Sequence, residues 1–80
     1  MSNIEKLNKV LCDVLDFKNS EDIHDGMGPD DIECWDSLGH VELVTSLEEA
    51  FDITLDVIDI SRMYTIGGIK KIIGKYGITI

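Results

Sequence analysis

Residues 36–51, Asp36-Ser37-Leu38-Gly39-His40-Val41-Glu42-Leu43-Val44-Thr45-Ser46-Leu47-Glu48-Glu49-Ala50-Phe51, decide how the chain reads. Leu38, Val41, Val44, Leu47 and Phe51 recur at three- and four-residue steps, the spacing of an apolar stripe along a helix, with Leu43 flanking it. Glu42, Glu48 and Glu49 fall on the other faces. Asp36 is a good N-cap, because its carboxylate can accept early amide protons and complement the helix dipole. Ser37 then occupies the first turn with its hydroxyl facing outward. Asp52 ends the helix.

Upstream, Ser2 and Glu5 read as a capping box. Ile4, Leu7, Val10, Leu11, Val14 and Leu15 follow at helical spacing, which predicts a first helix over about residues 3–16. Residues 17–35 break that pattern with Gly26, Gly28, the only proline and a crowd of acids. This is a long loop, with Phe17, Ile23, Met27, Ile32 and Trp35 as its pegs into the core. Downstream, Asp56 to Ser61 predicts a single-turn helix, with Val57, Ile58 and Ile60 for packing. A last helix over about 65–76 carries Ile66, Ile69, Ile72, Ile73 and Tyr76 on one stripe. Lys70, Lys71 and Lys75 sit toward its negative end, and Gly77 suits the residue just past it. The expectation is an all-α, small four-helix bundle, three main helices plus one short helix, in a single domain over residues 1–80.

Eighty residues leave little room for a closed active site with its own supporting shell. Acids outnumber bases 16 to 7, a formal net charge of −9. That argues against nucleic acid and against an anionic membrane surface, and favours a basic patch on a partner protein. Cys12 and Cys34 match no zinc spacing, and reduced thiols in a cytoplasmic protein are expected. No signal peptide and no run long enough to span a membrane are read in the sequence.

Ser37 has three readings. It is filler behind an Asp36 cap, a nucleophile, or a point of attachment. Asp36, Ser37 and His40 supply the residue types of a hydrolase triad, but all three lie within a few positions and no G-x-S-x-G elbow is present. No catalysis is expected. Attachment suits a serine at a helix start, where free amides and the positive dipole end stabilise a phosphodiester.

Asp36-Ser37-Leu38, followed by Val41-Glu42-Leu43-Val44 and Leu47-Glu48-Glu49-Ala50-Phe51, resembles the acyl carrier protein family, and the likeness covers nearly the whole chain. The resemblance implies an acidic four-helix bundle whose Ser37 receives 4′-phosphopantetheine from coenzyme A. The arm's thiol would carry acyl or aminoacyl groups as thioesters. It also implies that Asp36 caps the second helix and helps position the motif, and that Leu38 serves both core and partner. Glu42, Glu48 and Glu49 would form a docking face, with Met63 near the arm. The implied partners are a phosphopantetheinyl transferase and the enzymes that load and use the acyl group, with a monomeric carrier presented to each.

The approach Glu33-Cys34-Trp35, the pair Gly39-His40 and Thr45 depart from the pattern of carriers in bulk fatty-acid synthesis. A carrier for a specialised pathway, of polyketide, peptide, aminoacyl or surface-polysaccharide type, fits better, although the peptidyl branch's G-G-x-S is missing. The alternative is an unmodified acidic helical interaction module.

Among the remaining features, Glu21–Ile32 resembles a calcium loop, but Ile23 and Ile32 stand where oxygen ligands are needed. His40 shares a face with Ser37 and reads as a surface histidine or a contact to phosphate or partner. Trp35 reads as a core peg and Cys34 as a buried structural thiol.

Overall fold

The structure is a computed structural model and describes residues 2–80. It contains α1 (Asn3–Leu15), α2 (Ser37–Phe51), α3 (Val57–Ser61) and α4 (Ile66–Lys75), with no strand among the described residues. The predicted all-α bundle is therefore observed. A short 3₁₀ turn at Ser20–Asp22 in the first loop was not anticipated.

Each long helix starts on a side-chain cap. Ser2 Oγ accepts from the Glu5 amide at 3.3 Å, Asp36 Oδ1 from Gly39 at 2.8 Å, and Thr65 Oγ1 from Gly68 at 2.9 Å. At the first cap, the Ser2 hydroxyl donates to the Glu5 carboxylate at 3.0 Å, so Glu5 meets the cap's side chain as well as supplying its amide. α1 and α2 end on aspartates in the left-handed region, Asp16 at φ 60° and Asp52 at φ 54°. After α4 the left-handed position is Gly77, φ 86°.

The core consists of Leu7, Leu11 and Leu15 of α1, Leu43, Val44 and Leu47 of α2, Ile66, Ile69, Ile72 and Ile73 of α4, and Ile32, Trp35, Leu55 and Met63 from the connections. The predicted stripe on α2 needs correction. Leu38 and Val41 are 69% and 64% exposed, and the buried sector is Leu43, Val44 and Leu47, with His40 and Phe51 half-buried. At about 100° per residue, this sector lies opposite Leu38. α2 is apolar on more than one side, so periodicity alone did not say which side faces in. Val57 and Ile58, expected to pack, are also exposed, at 81% and 65%.

The long first loop is tied to α4. Asp25 and Met27 lend their carbonyls to the amides of Gly67 and Ile66 at 2.8 and 2.9 Å, satisfying donors that the first turn of α4 cannot pair itself. Lys70 Nζ meets the Asp25 carboxylate at 2.6 Å. Gly28 is buried against the segment after α3, where a Cβ would sit 2.6 Å from the Tyr64 carbonyl oxygen. These contacts hold the loop against the start of α4 and the segment after α3.

Candidate functional site

The Asp36 cap fixes the start of α2 and leaves Ser37 exposed at its first position. The amides of Ser37 and Leu38 have no intrahelical carbonyl to bond, so donors and the positive dipole end converge beside the Ser37 hydroxyl. Gly39 makes this approach possible. A Cβ there would run into the carbonyl oxygen of Cys34, so the first turn of α2 lies directly on the backbone of the incoming loop.

An apolar cleft of about 550 Å³ opens beside Ser37, walled by Trp35, His40, Ile60, Met63, Pro29 and Tyr64. Ser37, Asp36 and Ser61 line its rim.

His40 is neither a free surface histidine nor a contact waiting for phosphate. Its Nδ1 lies 2.9 Å from Trp35 Nε1, and its Nε2 lies 2.9 Å from the Ile60 carbonyl oxygen. An indole nitrogen only donates, so Nδ1 accepts, and the imidazole proton is on Nε2, donated to Ile60. The ring planes lie 15° apart with centroids 6.2 Å apart, the side-by-side placement an in-plane hydrogen bond requires. One histidine thus joins the loop, α2 and α3. Trp35 and His40 stand five residues apart, and no sequence period marks such a pair.

The acidic residues separate into two kinds. Glu42 and Glu49 are exposed on α2. Glu48 is half-buried, and its Oε2 accepts from the Leu55 amide at 2.8 Å, bracing the turn after α2. Its expected place on a free docking face is corrected accordingly. Met63 is 1% exposed, so it forms a wall of the cleft and offers a partner almost no surface. Leu38 is all surface and does not serve the core. Cys34, read as a buried thiol, is exposed, and Cys12 is half-buried; both are unpaired. Burial pushes the Cys12 thiol up, with Asp13 and Asp22 adding to the effect.

α3 and the C-terminal end of α4 are joined by Asp59, which the sequence reading passed over. The residue is 4% exposed, and its carboxylate accepts from Lys75 and from the Tyr76 hydroxyl at 2.7 Å each and is held below the usual carboxylate range by those two bonds. The Tyr76 oxygen in turn accepts from the Asp56 amide at 2.9 Å. Among the described residues, no helix is long and apolar enough to cross a membrane.

No family model matches the chain. It is similar to the acyl carrier protein of Desulforapulum autotrophicum, 38% identical over 76 residues that cover 94% of this chain and 97% of that one. It is 36% identical over 67 residues to the acyl carrier protein of Buchnera aphidicola subsp. Acyrthosiphon pisum, covering 82% of each. It is 33% identical to that of Buchnera aphidicola subsp. Schizaphis graminum, over 82% of this chain and 84% of the other. Likeness of this degree, running almost end to end through a capped α2 and a four-helix frame, places the chain in the acyl carrier protein family, a family of carriers and not of enzymes.

Proposed function

We propose that this protein carries acyl or aminoacyl groups as thioesters on a 4′-phosphopantetheine arm attached to Ser37. The observation that carries the reading is the exposed Ser37 at the first position of a capped 15-residue helix, on the rim of an apolar cleft. The residues suit such a group chemically. Ser37 offers an accessible hydroxyl, and the unpaired amides at the start of α2 favour an anionic ester. The adjacent Asp36 carboxylate opposes a phosphate, but it is engaged with the Gly39 amide at 2.8 Å. When bound, the arm supplies a thiol that forms thioesters. The protein's own part is to hold Ser37 clear of the body and to present α2 to successive enzymes.

Partner enzymes are expected to meet α2 through Leu38 and Val41, which are exposed, and through Glu42 and Glu49, whose charges would steer a basic surface. A phosphopantetheinyl transferase is the first such partner. The departures at Glu33-Cys34-Trp35, Gly39-His40 and Thr45 support a specialised pathway over bulk fatty-acid synthesis. A cytoplasmic location is part of the same proposal.

The test is intact mass after incubation with coenzyme A and a permissive transferase. One phosphopantetheine should be added to the wild type and none to Ser37→Ala. No addition to the wild type would leave the unmodified interaction module as the better reading, and addition to the alanine variant would move the site elsewhere.

A further inference from the structure

Ser37 lies within a bracket of joined side chains. Trp35 immediately precedes the Asp36 cap, and His40 closes the first turn of α2. The Trp35 indole N–H donates to His40 Nδ1 at 2.9 Å, so residues 36–39 are enclosed between two bonded rings. Both ends of the bracket are anchored. Trp35 is buried in the core, and His40 Nε2 donates to the Ile60 carbonyl of α3 at 2.9 Å.

We propose that His40 is a positioning residue for arm attachment. The Ile60 carbonyl holds its imidazole in the tautomer that accepts from Trp35, and the resulting bridge fixes the turn that presents Ser37. This inference rests on the attachment reading at Ser37 and adds to it what holds the serine in place.

Three observations support it. First, the cap alone does not fix the turn. Asp36 bonds the Gly39 amide at 2.8 Å, which starts the helix but leaves open the direction from which the loop enters. The bridge supplies that constraint by tying the buried Trp35 to the end of the first turn. Second, each ring nitrogen of His40 meets a partner of the one kind that suits it. The carbonyl can only accept and the indole N–H can only donate, so a single tautomer satisfies both. Third, the turn and the loop cannot move independently. A Cβ on Gly39 would run into the Cys34 carbonyl oxygen, so a change in how the loop enters is passed directly to the turn that carries Ser37.

The chemistry makes such positioning count. In the transfer, the Ser37 oxygen bonds the phosphorus that carries pantetheine in coenzyme A, the pyrophosphate P–O bond breaks, and adenosine 3′,5′-bisphosphate leaves. The hydroxyl proton passes to a base on the transferase. A displacement of about 1 Å at a reacting atom can cost about a hundredfold in rate.

The test measures kcat and KM for the carrier with a permissive transferase and saturating coenzyme A, beside melting temperature and the Trp35 indole N–H signal in NMR. His40→Phe keeps a ring and removes both bonds. It should lower kcat about tenfold and leave KM for the carrier within about twofold, because Val41, Glu42 and Glu49 lie outside the bracket. Trp35→Phe removes the same bond from the donor's side and should do the same; it carries the test if His40→Phe does not fold. His40→Asn sets an amide oxygen near the place of Nδ1 and lacks the reach to Ile60. Across the wild type and these variants, kcat should follow the presence of the hydrogen-bonded indole signal and not the melting temperature. A kcat that follows melting temperature, or a rise in KM with kcat unchanged, would overturn the proposal. So would wild-type kcat in both phenylalanine variants. A wild type that gains no mass would overturn the attachment reading, and this inference with it; a loaded wild type with unaffected variants would overturn the inference alone.

Discussion

Tyr76 donates its hydroxyl to Asp59 at 2.7 Å, and this bond, with Lys75 on the other carboxylate oxygen at 2.7 Å, fastens α3 to the end of α4. The two hydrogen bonds hold Asp59 below its ordinary pKa of 3.8 despite its burial. A depressed carboxylate contributes stability that is present above the unfolded value and is lost as pH falls through the folded one. Asp59→Asn should therefore unfold at lower urea concentration than the wild type at pH 7, with the difference shrinking below about pH 4. Tyr76 acts at the other end of the scale. The Asp56 amide favours its phenolate, but the bond to Asp59 and burial outweigh this and raise its pKa above 10.0. Its contribution is present below that value and is lost as pH rises through the folded pKa. A denaturation midpoint for Asp59→Asn that differs from wild type equally at pH 7 and pH 3 would show that the carboxylate's charge is not what holds α3.

Gly39→Ala should destabilise the protein even though alanine is the better helix former. The propensity gain is about 1 kcal/mol. Against it, the new methyl meets the Cys34 carbonyl oxygen, which is backbone and must shift with the loop. Overpacking of this kind costs about 1–3 kcal/mol, so the net sign is a loss. Thermal melting measures it, and loading of Ser37 should slow as the start of α2 moves.

His40→Ala should cost about 2 kcal/mol, because it leaves the buried Trp35 N–H without its acceptor. Ser37→Ala, at an exposed position, should stay within about 0.5 kcal/mol of wild type. Urea denaturation of the two variants side by side gives the comparison, and equal values would mean that the imidazole bridge contributes nothing.

Charge reversal should separate two acids that look alike in sequence. Glu42→Lys should leave the melting temperature nearly unchanged and slow modification by a transferase, most strongly at low salt. Glu48→Lys should instead lower the melting temperature, because the Leu55 amide loses its 2.8 Å acceptor. Modification rates at two ionic strengths, read beside melting curves, check both. A Glu42→Lys rate unchanged at low salt would remove this face from the docking surface.

Asp52→Gly should stabilise the fold by about 1 kcal/mol. Asp52 holds φ 54°, a conformation that glycine adopts without strain, and its carboxylate opposes the negative end of α2. A lower melting temperature for this variant would show that the aspartate side chain makes a favourable contribution at the helix end.

The extent of α2, its cap and the exposure of Ser37 were legible because all three are local. A carboxylate three residues before an amide, an apolar period and a left-handed stop act within one or two turns. The helices of α1 and α4 were legible for the same reason, and Leu7, Leu11, Ile66, Ile69 and Ile73 did go inside. The orientation of α2 was not legible. Leu38 and Val41 are as apolar as Leu43 and Leu47, and only the positions of α1, the loop and α4 chose which pair would be buried. Composition and local periodicity thus determined that this chain is an acidic helical bundle with an exposed serine at a helix start. Tertiary structure alone decided that His40 bridges Trp35 to Ile60, that Glu48 braces Leu55, and that Asp59 lies between Lys75 and Tyr76. Such pairings depend on where separate helices come to rest, and a donor's need for an acceptor says nothing of which distant residue will supply it.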